Sequence, residues 1–236
     1  MTAIFKRELK AYFTSPIGYV VLALIFALSG WYFYQYNMLY GMTDLSYVFS
    51  SILSVILMLV LPVLTMRLLS DDKRQKTDQA LLTAPVSLTG IVLGKFLAAL
   101  LVFAIGLSIT LVLAIIIATK GVVVVWLEVL GNYVGLLLLG GMIIAIGLLI
   151  SSLTESQFIA ALGGFLVSYS LLMVDALTTL SSASWVSSVI NFLSVTQRYN
   201  NFTAGIVQYD DVVFFLSMQA LFLFLTVRVL DRKRWN

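Results

Sequence analysis

The sequence predicts an all-α membrane protein: six transmembrane helices, an N-terminal interfacial amphipathic helix and a short cytoplasmic helix in the second connection. Three observations carry this. The 236 residues are 61% hydrophobic and only 11% charged, against about 25% charged in soluble domains. Six apolar windows approach or exceed the roughly 20 residues that cross a bilayer. The cations also sort to one side of those windows. No polar stretch could house a soluble catalytic domain, so residues 1–236 read as one membrane domain.

Taken in order, the segment Thr2–Thr14 is too polar to span. As a helix it places Ile4, Phe5, Leu9, Tyr12 and Phe13 on one half and Lys6, Arg7 and Lys10 on the other. That pattern fits a helix lying in the interface, apolar side in lipid and cations near anionic headgroups. The plainer alternative is a charged flank that only sets topology. Pro16 ends the segment. Ala27-Leu28-Ser29 has the look of a signal-peptide cleavage site, but the apolar run continues to Tyr34 and is read as a retained span.

The windows are Ile17–Tyr36, Leu45–Leu69, Phe96–Thr119, Val129–Leu153, Phe158–Val174 and Val212–Leu230. The third is the clearest. Phe96 to Ala118 holds 15 Leu, Ile, Val or Phe residues and no charge, which favours insertion by roughly 5–9 kcal/mol. Pro62 is expected to kink the second span. Of the 14 Lys and Arg, all but Lys120 and Arg198 fall before span one, between spans two and three, or at the end of span six. The positive-inside rule then puts both termini and the second connection in the cytoplasm of a multi-pass cell-membrane protein. The segment Thr178–Gln197 is either a re-entrant or interfacial hairpin or a plain external loop.

Several chemistries are excluded. The chain has no Cys and no His, which removes disulfides, thiolate catalysis and the usual zinc, copper and haem ligand sets. No acid sits at a span's midplane, against ion-coupled transport. Glu128, Asp175 and Glu155 lie near span ends, and structural or solvated roles suit the first two. Gly131-Asn-Tyr-Val-Gly135 matches a helix-dimer spacing, for which packing within the monomer is preferred over a dimer face. Asn201-Phe-Thr203 is a chance glycosylation triplet. Gly90-Ile-Val-Leu-Gly-Lys95 lacks the spacing of a phosphate-binding loop. The chain therefore carries no ATPase motif, no catalytic residue, and no cofactor or metal site.

One polar island stands out. Six charged residues fall between Asp71 and Asp78. Thr77 can cap a short helix, Asp78 suits its positive end, and Pro85 stops it. Ser87 can cap the next helix. Leu81 and Leu82 stand exposed on a cytoplasmic loop, either dipping into lipid or covered by a partner.

These residues resemble permease subunits of ABC transporters of the ABC-2 exporter class, most closely the gliding-motility-associated type. Lys6-Arg-Glu-Leu-Lys-Ala-Tyr-Phe-Thr-Ser-Pro-Ile-Gly-Tyr19 is similar to that family's elbow helix. Leu81-Leu-Thr-Ala-Pro-Val-Ser87, with Ile91-Val-Leu-Gly-Lys95, is similar to its coupling-helix loop. Ser151-Ser-Leu-Thr-Glu-Ser-Gln157 resembles its second cytoplasmic turn, and Arg198-Tyr-Asn-Asn-Phe-Thr-Ala-Gly205 its last external segment. One departure is that Lys76 precedes Thr77 where glycine is usual, with Asp71 and Asp72 standing for the family's acids.

The resemblance implies a permease that pairs with a second permease subunit, alike or different. A separate ATP-binding cassette subunit, holding ATP and Mg, docks below and drives export. It implies contact with that subunit through Thr77, Asp78, Leu81, Leu82, Thr83, Pro85 and Glu155. Phe5, Lys6, Arg7 and Lys10 form the interfacial helix. The partners are thus an ATPase subunit, a second permease and lipid, with no nucleic acid. A membrane anchor or force-transmitting subunit of a partner complex is the alternative.

Overall fold

The computed structural model describes residues 2–76, 87–121, 123–174 and 194–235. Among these, every regular element is a helix. Five are long and apolar enough to cross a membrane: Pro16–Leu39, Ser46–Arg74, Leu88–Thr119, Trp126–Leu153 and Tyr209–Arg232. The predicted fifth span, Phe158–Val174, coincides with an apolar helix over Gln157–Met173, 17 residues long among the described residues. The described residues thus contain five long spans and this shorter apolar helix.

The elements are α1 (Thr2–Thr14), α2 (Pro16–Tyr32), α3 (Ser46–Ser51), α4 (Leu61–Thr65), α5 (Ser70–Arg74), α6 (Leu88–Thr119), α7 (Trp126–Leu153), α8 (Gln157–Met173), α9 (Val195–Thr203) and α10 (Tyr209–Trp235). Ser15 is extended and Pro16 opens α2, as the fixed φ of proline favours at a helix start. Helix α2 widens into a π-helical end over Phe33–Leu39. Gly41 follows with φ +68°, a left-handed conformation that ends the span at little steric cost.

Span two is not one regular helix. A π-helical stretch, Ile52–Val60, joins α3 to α4. It ends just before Pro62, whose ring would meet the carbonyl of Met58 in a continuous α-helix. The wider turn relieves that clash. The span then runs on to Arg74, beyond the predicted Leu69, and carries the base of the polar island.

Helix α7 is the centre of the bundle. It packs against α4, α6, α8, α9 and α10. Its glycines admit these neighbours. A Cβ on Gly140 would lie 2.1 Å from the Phe103 ring of α6, and one on Gly131 would lie 2.5 Å from the Phe202 carbonyl of α9. The Gly131–Gly135 pair thus serves packing inside the monomer, as expected. Gln219 of α10 donates to the Leu138 carbonyl of α7 at 2.8 Å. The alternatives for Thr178–Gln197 fall mostly on residues 178–193, outside the described residues, as does Asp175. The described remainder begins at Ser194, which caps α9 by accepting from the Gln197 amide at 3.0 Å.

Candidate functional site

The island's two posts are well defined. On one side, α5 carries Asp71, Asp72, Lys73 and Arg74, and the turn that follows it holds Lys76, whose φ is +56°. On the other, Ser87 caps α6, accepting from the Gly90 amide at 3.2 Å. The connecting residues, with the predicted contacts Thr77, Asp78, Leu81, Leu82, Thr83 and Pro85, lie outside the described residues.

Both posts are tied to the bundle by polar contacts. Lys95, two turns into α6, is 1% exposed. Its Nζ lies 3.0 Å from Glu8 Oε1 of α1 and 2.7 Å from Asp72 Oδ2 of α5. A buried ammonium is tolerable only when paired, and here two carboxylates from two elements pair it. Arg7 joins the same cluster, hydrogen-bonded to Glu8 and 3.9 Å from Asp72. Arg67 holds Asp71 at 2.9 Å one helical turn on, and Gln157 at the start of α8 donates to the other Asp71 oxygen at 2.8 Å. Three cations meet three acids around a cavity of 360 Å³.

The second tie runs to the end of α7. Between α4 and α5 the chain makes a turn over residues 66–69. Buried Ser151 serves this turn: its Oγ accepts from the amides of Leu69 (3.0 Å) and Ser70 (2.9 Å) and donates to the Met66 carbonyl at 3.1 Å. Lys73, itself buried, donates to the Ser152 carbonyl. The buried backbone groups of the turn thus find partners on a neighbouring span.

Helix α1 forms as predicted, but its apolar side does not all face outward. Ile4 and Tyr12 are buried against the protein, while Phe5, Leu9 and Phe13 are half-buried. Gly94 of α6 makes room: a Cβ there would be 3.1 Å from Ile4 Cγ2. The Tyr12 hydroxyl donates to the Leu64 carbonyl of α4 at 3.0 Å. Burial, with the Glu8 charge adding to it and Arg67 opposing, raises the Tyr12 phenol above its ordinary range, so it stays a donor. Lys6, Arg7 and Lys10 remain exposed. The helix is therefore a strut docked across α4 and α6.

The structure brings the predicted Glu155 close to this assembly without placing it inside. It is exposed in the short turn between α7 and α8, two residues from Gln157. The sequence reading missed Glu8, Lys95 and Gln157 as one cluster, because nothing in a periodic pattern says which distant charges pair. The available signal was a lysine well inside a helix that Ser87 caps. Chemically, the site holds no nucleophile poised by a base, and no metal-ligating group of three acids occurs among the described residues. It joins one end of five helices, α1, α5, α6, α7 and α8, and the base of one loop, cross-braced by buried polar and charged contacts.

Comparison with known proteins agrees with this architecture. A family model described as "ABC-2 family transporter protein" matches residues 2–235, from the first residue of α1 to the last of α10. A search of the curated proteins finds no match.

Proposed function

The chain belongs to the ABC-2 family of transporter proteins, and from that premise we propose that it exports a substrate by coupling its spans, through residues 77–86, to a separate ATP-binding subunit. That it is a multi-pass membrane permease follows from the family and the apolar helices. Direction, coupling and orientation are our reading. The single observation that carries the coupling is the bracing of both posts of the loop. A push on the loop reaches α5 and α6 directly. From α5 it passes through Lys73 and Ser151 into α7. From α6 and α5 it passes through Lys95, Glu8 and Asp72 into α1. A loosely held loop would absorb such a push, whereas this one transmits it to four helices.

In this reading the island end and both termini are cytoplasmic, Glu155 presents its turn beside the same partner, and a second permease copy or relative completes the pore. ATP and Mg belong to the partner subunit. The test is affinity purification in mild detergent. Recovery of an ATP-binding subunit and a second permease, with ATPase activity that Leu82→Asp uncouples from transport, supports the proposal. Purification of the chain with partners that hydrolyse no ATP supports the anchor reading instead.

A further inference from the structure

A second cavity, of 390 Å³, opens at the other end of the bundle. It lies between the start of span two, the end of α6, the start of α7, and α9. Its size falls in the range that holds small organic molecules. Much of its wall is apolar, with Phe49 and Leu53 from span two, Ile117 from α6, and Val125 and Val129 at the start of α7, and neutral hydroxyl and amide groups such as Thr43, Ser50 and Thr203 fill the rest. Its polar floor is fixed. Asn132 is buried, accepts from the Tyr199 hydroxyl at 2.7 Å and donates to the Glu128 carbonyl at 2.8 Å.

Two carboxylates, Asp44 and Glu128, line this cavity, and no Lys or Arg is among its described lining residues. Asp44 is held in place by accepting from the amide (3.3 Å) and hydroxyl (2.6 Å) of Ser46. The Glu128 side chain is exposed and has no ion pair or hydrogen bond of its own among the described residues. The cations nearest in sequence make no ion pair with them among the described residues: Arg198 is 3.0 Å from Asp211, and the Lys120 ammonium contacts the Met38 sulfur. Helix dipoles do not change the sign. The N-termini of α3 and α7 and the C-termini of α6 and α9 all meet here, two of each, and their partial charges offset.

Apolar wall segments with two carboxylates at the rim, neither of them ion-paired among the described residues, select one ligand class. We propose that this cavity binds a lipophilic organic cation, its apolar body against Phe49, Leu53 and Val125 and its charge beside Asp44 and Glu128. That such a ligand is cargo rests on the permease reading; that it binds does not, and the test reads binding alone.

Tetraphenylphosphonium is the probe, measured by equilibrium dialysis against the purified full chain in mild detergent, without any ATPase subunit and with empty micelles subtracted. Saturable binding is expected, weakened about fivefold by Asp44→Asn and again by Glu128→Gln, since each removes one exposed charge contact. Both changes keep size, and the amide oxygen that Asp44→Asn introduces can still accept from Ser46. Tetraphenylborate, of the same shape and opposite charge, dialysed in a separate experiment, is expected to show no saturable binding. Val125→Trp, a change at an exposed loop position that fills the cavity, is expected to abolish binding. Equal binding by wild type and the double carboxylate variant, or saturable binding of tetraphenylborate alone with similar affinity, overturns the inference. So does full binding by Val125→Trp.

Discussion

Lys95→Met removes the one ammonium that α1 and α5 share. Its Nζ is 3.0 Å from Glu8 and 2.7 Å from Asp72. At an effective dielectric of about 20 each contact is a gross attraction of about 6 kcal/mol, most of which offsets the loss of hydration. What the substitution leaves behind decides the outcome. Two carboxylates remain, with side chains 12% and 18% exposed, and breaking such a pair costs about 3–5 kcal/mol. Arg7 takes up part of the loss through Glu8, so about 3 kcal/mol is expected. For a chain of this size 1 kcal/mol moves a melting midpoint by about 2–4 °C. The assay is thermal unfolding in mild detergent, and the expected fall is about 6–12 °C. The triple variant Lys95→Met, Glu8→Gln, Asp72→Asn removes the stranded charge and is expected to recover most of it. A Lys95→Met protein that melts with wild type, or a triple variant that melts as low as the single, refutes the paired-charge brace.

Other predictions concern the same assembly. Ser151→Ala leaves the Leu69 and Ser70 amides without their acceptor and is expected to cost about 2–4 kcal/mol, read in the same melts; Ser151→Thr keeps the oxygen and is expected to lose less. Lys76 occupies a left-handed conformation that costs a side chain about 1–2 kcal/mol, so Lys76→Gly is expected to raise the midpoint by about 3 °C. The Tyr12 phenol is raised in the folded state, so its contribution is complete below about pH 10 and is lost as pH rises above it. Wild type is therefore expected to exceed Tyr12→Phe by about 1 kcal/mol at pH 8, with the gap closing in alkaline melts.

Much of this architecture is legible in the sequence because helices repeat. The apolar run after Ser87, the Pro16 break and the amphipathic pattern of Thr2–Thr14 each specify a local structure that tertiary packing then keeps. The hidden parts are those where distant residues decide. Tyr12 counts as one more apolar position in a helical wheel, yet its hydroxyl finds Leu64 across the bundle. Lys95 reads as a topology signal until Glu8 and Asp72 arrive on either side. The π-helical stretch of span two follows from Pro62 only once α8 is seen packed against it, with Gly164 facing the proline ring.

The account turns on what touches Leu82. A photo-cross-linking side chain placed there, in cells carrying the full-length protein, reads that contact directly. The account predicts a covalent adduct with an ATP-binding subunit, lost when the cross-linker is moved to the opposite end at Val125. Adducts with lipid alone, or with a partner that binds no ATP, contradict it.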